Sequence, residues 1–307
     1  MSAHYHHGVS TLRIGMGQLA PGLGLVDANL AAHSRVIDEA RDAGVDLLVF
    51  PELGLTGYLL QDLNADVAMR ANDRRLAALG AQAQEMSVVL GFVEESADHQ
   101  LYIAAALFED GALRHVYRKS YLPNYGLFDE RRFFGAGTQL RAVDSRLGVR
   151  LGISICEDFW HLPVPYLLAL DGAQILINIA SSPGRDIAAV VEGGLGSADS
   201  WRTVMRAYAE LTTCHVIFVN RVGVEESVTF WGGSQVIDPA GKVVFEAPLL
   251  EEGLFLAEID TDDIRRERVA LPLLRDERPE FVLRQLERLV REQAGIADDS
   301  GMGAGDR

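Results

Sequence analysis

The feature that most constrains this chain is a regular succession of short apolar segments of β-strand length, separated either by helical periodicity or by tight-turn residues. Strand-like runs occupy residues 11–16, 47–50, 88–93, 102–108, 150–155, 175–179, 215–220, 234–237, 242–245 and 253–259. Apolar spacing of helical type fills residues 26–43, 65–86, 163–171, 200–213 and 279–293. Two strand pairs are joined by turn signals, Glu109-Asp110-Gly111 and Asp238-Pro239-Ala240-Gly241, which read as hairpins. Hairpins mixed with βα units argue against a purely parallel, doubly wound sheet. The reading is one α/β domain over residues 11–262 and a helical extension over 263–293. Disordered tails are expected at 1–10 and 294–307. There is neither an internal sequence repeat nor a Ser/Gly linker within 11–260.

Composition narrows the function classes. Hydrophobic residues make up 48% of 307, enough for a substantial core. No apolar run approaches the roughly 20 residues of a membrane-spanning helix, so no membrane partner is expected. The start carries His4, His6 and His7 rather than a basic flank and an apolar stretch, and so does not read as a signal peptide. A formal charge of −16 repels phosphate backbones and argues against a nucleic-acid partner. Only two cysteines, Cys156 and Cys214, are present. They cannot build a disulfide framework, and they fit a reducing, cytoplasmic setting.

Two patterns fail on inspection. Gly15-Met16-Gly17-Gln18-Leu19-Ala20 follows a strand as a dinucleotide loop does, but Pro21-Gly22 prevents the helix whose N-terminus would hold a pyrophosphate. Gly152-Ile153-Ser154-Ile155-Cys156 begins like a serine nucleophile elbow but lacks the second glycine. Strand alternation points Ser154 and Cys156 the same way, and Cys156 lies nearer the strand's end. No metal-ligand spacing stands out, and neither a metal nor a cofactor is expected. Among the scattered histidines, His161 alone is near Cys156 in sequence.

Three segments share one design, an apolar strand ending in a reactive residue and a loop. They lead into Glu52 (Leu47-Leu48-Val49-Phe50-Pro51-Glu52), Lys119 (Tyr117-Arg118-Lys119) and Cys156. Strand ends of α/β sheets gather catalytic groups because the scaffold is rigid and the loops are open. A thiol attacks a carbonyl as thiolate and needs a base or a nearby cation. Glu52 can take the proton and Lys119 can lower the thiol's pKa. Lys119 and the backbone N–H of Glu157 can receive the oxyanion, Glu52 can protonate the leaving amine, and Glu52 or Glu130 can activate water. Taken singly, Glu52 reads as a loop cap, Lys119 as a surface charge and Cys156 as core. The three together point to chemistry.

These three motifs resemble the nitrilase, or carbon–nitrogen hydrolase, superfamily. The resemblance covers roughly residues 12–260 and implies a four-layer αββα sandwich, an assembly of at least two copies, and a triad of Glu52, Lys119 and Cys156 with Glu130 as second acid. Glu52 to Leu63, Leu122 to Arg132, Cys156-Glu157-Asp158-Phe159-Trp160 and Asn178-Ile179-Ala180-Ser181-Ser182-Pro183 look like the glutaminase domain of glutamine-dependent NAD synthetases. The synthetase domain of the fused enzymes is absent before Arg307, so a separate synthetase would be the partner in that case. Phe230-Trp231-Gly232-Gly233-Ser234 instead looks like free-standing amidases and carbamoyl hydrolases.

The leading expectation is hydrolysis of a small aliphatic amide, glutamine or another ω-amide among the candidates, to carboxylate and ammonia. An N-carbamoyl amide is the second reading. A nitrile is the third, disfavoured because nitrilases proper resemble Cys-Trp-Glu where this chain has Cys156-Glu157. A scaffold without turnover is the alternative of a different class. Tyr58, Tyr125, Phe159, Trp160 and Trp231 are the expected pocket walls, and the helix at 279–293 is a candidate contact in a homodimer or larger homo-oligomer.

Overall fold

The computed structural model describes residues 11–184 and 196–294. The expected tail disorder concerns residues outside that range, Ala294 apart. In chain order the strands are β1 (Thr11–Gln18), β2 (Leu47–Val49), β3 (Ser87–Glu95), β4 (Leu101–Glu109), β5 (Ala112–Arg118), β6 (Ala142–Asp144), β7 (Arg150–Ile155), β8 (Ile175–Ala180), β9 (His215–Asn220), β10 (Val222–Glu225), β11 (Val228–Trp231), β12 (Gln235–Ile237), β13 (Val243–Glu246) and β14 (Gly253–Asp260). The helices are α1 (Val26–Asp42), α2 (Asn64–Val67), α3 (Arg74–Gln82), α4 (Glu130–Phe133), α5 (Pro163–Leu170), α6 (Gly196–Thr212), α7 (Asp262–Ala270), α8 (Leu273–Asp276) and α9 (Pro279–Gln293).

Two six-stranded sheets run in the orders β14-β1-β2-β3-β4-β5 and β13-β12-β9-β8-β7-β6. Alternation along each strand sorts its side chains. In β3, Val89 and Val93 enter the core shared with Ile153, Ile155 and Ile177 of the second sheet. Val88, Leu90 and Phe92 face the opposite way and meet Ile37 of α1 and Leu76 and Leu79 of α3. On the far face of the second sheet, α5 packs on β7 and α6 on β9. The result is four layers, helix, sheet, sheet, helix, with the main apolar core between the sheets.

Each sheet has a parallel centre, β1-β2-β3 or β7-β8-β9, with an antiparallel strand on one side and an antiparallel pair on the other. The architecture therefore repeats although the sequence does not. Packing demands only apolar alternation, which many sequences satisfy. The Asp110-Gly111 hairpin forms as expected, both residues taking the positive φ of a type I′ turn (52° and 74°).

The single helix expected over 65–86 does not form. A short turn at Gln61–Leu63, then α2 and α3, take its place. Between α2 and α3, Met69 pairs with Glu94 at the end of β3. Asp73 then starts α3 afresh, its carboxylate accepting the N–H of Arg75 at 2.8 Å. The short strands β6, β10 and β11 were not legible as strands. At the C-terminal end α9 has no buried residue and exposes Phe281, Leu283, Leu286 and Val290. No described helix is long and apolar enough to cross a membrane.

Candidate active site

Glu52 leaves β2 through Phe50-Pro51 and is wholly buried. Its Oε1 accepts from Lys119 Nζ at 2.7 Å. Its Oε2 accepts the N–H of Ser181, just beyond β8, at 2.7 Å. The Ser181 hydroxyl also donates to the Glu52 carbonyl at 2.8 Å. Gly91 of β3 allows this approach, since a Cβ there would lie 2.6 Å from the Leu53 nitrogen and the Pro51 oxygen.

Lys119 follows β5 and is also wholly buried. Its ammonium bridges Glu52 and Glu130, reaching Glu130 Oε1 at 2.8 Å. Burial alone would lower its pKa, but the two carboxylates reverse that and hold it well above the usual lysine value. Glu130 opens α4, and its Oε1 also accepts the Tyr58 hydroxyl at 2.5 Å. Burial and the charge of Glu52 push the Glu130 carboxyl up to about 7 against the opposing pull of Lys119. Tyr58 is fixed in turn by Glu225, which accepts the Tyr58 N–H at 2.9 Å and pairs with buried Arg221 at 2.5 Å.

Cys156 sits where β7 ends, with φ of +46°, a backbone that L residues rarely hold and that turns its side chain out of the strand. Ser154 does not share that turn. It is buried, and its hydroxyl donates to the Ile177 carbonyl at 3.0 Å. The charges of Glu52, Lys119, Glu130 and Glu157 all act on the thiol. Burial and Glu52 push the thiol pKa well above its ordinary value, and Lys119 offsets them only in part. Lys119 does act to lower the thiol pKa, but burial and the Glu52 charge outweigh it.

A cavity of about 470 Å³ opens on Cys156, walled by Tyr125, Phe128, Glu157, Trp160, Ser182 and Trp201. That volume suits a small molecule. Tyr125 donates to both Glu157 carboxylate oxygens, at 2.9 and 3.1 Å. His161 lies 3.7 Å from Glu157 and stacks on Tyr121, so its described contacts are not with Cys156.

Of the five expected walls, Tyr125 and Trp160 line this cavity. Tyr58 lines a second, smaller one beside Glu130. Phe159 and Trp231 correct the expectation, since both are fully buried. Phe159 packs edge-on against Tyr208, and Trp231 lies against Phe218 with its N–H reaching the Ser182 hydroxyl at 3.3 Å. The 3₁₀ turn at Cys156–Trp160 aims neighbouring side chains in different directions. Phe128, Ser182 and Trp201 were not singled out as walls, because they come from three distant segments.

Asp158 had no assigned role and proves the best-connected residue of the site. Its Oδ1 accepts the N–H groups of Ser120 and Tyr121, at 3.1 and 2.9 Å. Its Oδ2 accepts the Ile155 N–H at 2.9 Å and the Tyr117 hydroxyl at 2.8 Å. Burial raises its pKa to about 6 in spite of those donors.

The family model for carbon-nitrogen hydrolases matches residues 13–268, which include every residue of this cluster. The chain is 36% identical over 261 residues to a glutamine-dependent NAD(+) synthetase of Thermotoga maritima, covering 82% of this chain and 42% of that protein. It is 29% identical to an N-carbamoylputrescine amidase of Arabidopsis thaliana, covering 83% and 89% respectively. The chain thus spans less than half the length of the NAD(+) synthetases it matches. A carbon-nitrogen hydrolase structure from Helicobacter pylori superposes with a TM-score of 0.81 at 26% identity, covering 90% of this chain and 98% of that one. With a family match across its folded body and the same four-layer architecture, the chain belongs to the carbon–nitrogen hydrolase family.

Proposed function

We propose that the chain hydrolyses a small amide to carboxylate and ammonia through a thioester on Cys156. One observation carries this reading: a buried ammonium, Lys119, is held between two buried carboxylates beside a thiol at a strand end. The Cys156 sulfur attacks the amide carbon while its proton passes to Glu52. Because burial and the Glu52 charge disfavour the thiolate, proton transfer accompanies attack rather than preceding it. The oxyanion is received by Lys119, two of whose three N–H bonds are committed to carboxylates, and by the backbone N–H of Glu157. Glu52 passes its proton to the departing nitrogen and ammonia leaves. Water then attacks the thioester and gives a proton to Glu52, the C–S bond breaks, and Glu52 returns that proton to the departing sulfur as the acid is released. Glu130 keeps Lys119 in place throughout.

The cavity supports a substrate with a cationic tail, because the Glu157 carboxylate lies on its wall with Tyr125 and two tryptophans. Glutamine, or another ω-amide bearing an amine, is the first reading, in keeping with the glutamine-dependent relatives. An N-carbamoyl amine is the second. The amidase relative whose length this chain covers almost entirely is named for such a compound, and it too carries an amine.

The proposal extends to a homodimer or larger homo-oligomer, supported by the exposed apolar stripe of α9. A separate synthetase would take up the ammonia under the glutamine reading. Two free cysteines support a cytoplasmic setting. Folding of residues 11–262 as the catalytic domain, with 263–293 as an appended helical segment, is part of the same reading.

The test is ammonia release from glutamine, aliphatic amides, N-carbamoyl amines and nitriles, with Cys156→Ala alongside. Release from one class that vanishes in Cys156→Ala is the expected result. Equal release from the variant, or none from the wild type on any class, overturns the reading.

A further inference from the structure

We infer that Asp158 is a positioning residue, a buried staple that holds the loop carrying Lys119 in register with the turn carrying Cys156. The inference rests on the proposed roles of those two residues and goes beyond them, because Asp158 itself touches neither reacting group in the described hydrogen bonds.

The argument starts from the inventory of one carboxylate. An ionised Asp accepts and does not donate. Asp158 lies wholly inside the protein, and four donors converge on it. Ser120 and Tyr121 are the two residues immediately after Lys119. Ile155 is the residue immediately before Cys156, and Tyr117 precedes Lys119 by two. Oδ1 therefore serves the lysine loop alone, while Oδ2 joins the cysteine turn to the strand that delivers the lysine. These segments belong to different sheets, β5 to one and β7 to the other.

Lys119 itself is held by the Ile103 carbonyl at 2.9 Å and the Gly137 N–H at 2.8 Å, both from its own side of the molecule, so these bonds do not set it against the cysteine turn. The Lys119 loop has left β5, and Cys156 has a positive φ that a free chain would not choose. A turn held in that conformation needs bonds to the surrounding structure. The Ile155 N–H to Asp158 bond supplies one three residues away, and the Ser120 and Tyr121 bonds tie the same side chain to the opposing sheet. Thiol and ammonium thus share an anchor. A shift of about 1 Å between reacting groups can cost on the order of a hundredfold in rate.

Asp158→Asn is the discriminating variant, because it keeps the shape and changes one acceptor into a donor. Its oxygen can still serve Ser120 and Tyr121, and the Tyr117 hydroxyl can turn to accept from the new NH₂. The Ile155 N–H then faces a donor, so the staple opens at the cysteine end. Two readouts on the full chain test this. The first is the pH profile of Cys156 alkylation by iodoacetamide, which needs no turnover. The thiol there feels Glu52, Lys119, Glu130 and Glu157, while Asp158 is faced by Tyr117 and Lys119. The second is the split between kcat and KM on whichever amide the wild type hydrolyses. Val36→Ala, in the helix-side core, serves as a control for destabilisation alone.

The expected result for Asp158→Asn is an alkylation midpoint displaced from wild type by about half a pH unit or more, and a kcat lower by about a hundredfold with KM nearly unchanged. Val36→Ala should keep the wild-type profile at a similar loss of thermal stability. An Asp158→Asn profile that superimposes on wild type overturns the inference, as does an equal displacement in Val36→Ala. A wild type that alkylates normally but releases no ammonia strikes the proposed function and leaves the alkylation comparison to decide the staple.

Discussion

Glu52 and Ser181 meet across the two sheets: the N–H of Ser181 donates to the Glu52 carboxylate at 2.7 Å, and the Ser181 hydroxyl donates to the Glu52 carbonyl at 2.8 Å. Glu52 stands beyond β2, the middle strand of one parallel centre, and Ser181 beyond β8, the middle strand of the other. The proposed proton carrier is thus fixed by the half of the molecule that supplies the nucleophile. One carboxylate oxygen is held by a rigid backbone donor while the other faces Lys119.

Glu52→Gln keeps an acceptor for Ser181 and removes the proton acceptor. Ammonia release should fall by about 10²–10⁴-fold, with some loss of thermal stability because the Gln NH₂ then faces the Lys119 ammonium, which keeps Glu130 as its partner. Steady-state kinetics beside a melting curve check it. Undiminished kcat would transfer the base role to another group.

Lys119→Met leaves Glu52 and Glu130 buried without their cation. Breaking a buried pair from one side costs about 3–5 kcal/mol, so denaturant unfolding should show a loss of that size together with loss of turnover. Adding Glu130→Gln should recover part of the stability and none of the activity.

Gly91→Ala tests the packing under the Glu52 loop. The new methyl would meet the backbone of Pro51 and Leu53 at 2.6 Å and the Glu52 Cα at 2.9 Å, so the loop must move. A stability loss of about 1–3 kcal/mol is expected. The rate should fall by more than that destabilisation explains, read as kcat per titrated Cys156 thiol.

The Glu130 carboxyl gives a pH prediction. Its folded pKa is raised to about 7, above its value in the unfolded chain. Between the two values the folded state binds more protons, so Glu130 contributes stability at low pH that is lost as pH rises through about 7. The difference in melting temperature, wild type minus Glu130→Gln, should therefore decrease from pH 5 to pH 8. A pH-independent difference would show that Glu130 does not titrate in this range.

Much of the site was legible because each reactive residue ends a strand. Glu52 after Phe50-Pro51, Lys119 after Tyr117-Arg118 and Cys156 after Ser154-Ile155 carry their context within a few residues. Asp158, Ser181 and Glu225 were not legible in the same way. Their importance lies in partners 37, 129 and 167 residues away, and nothing in their own neighbourhood announces those partners. Phe159 and Trp231 show the converse. An aromatic residue next to a motif signals a need for burial, but its direction depends on the turn beneath it.

The sequence by itself determined where most strands and the longer helices lie, that the sheets are mixed, and which three residue types stand at strand ends. Those properties follow from apolar periodicity, turn chemistry and the reactivity of single side chains, all written locally. Only the tertiary structure decided that the helical spacing over 65–86 breaks at Met69 to pair with β3. It alone decided that Lys119 is shared between two carboxylates and that burial and Glu52 push the Cys156 thiol pKa up rather than down. The physical reason is that burial and neighbouring charge set protonation, and both arise only when distant segments are packed together.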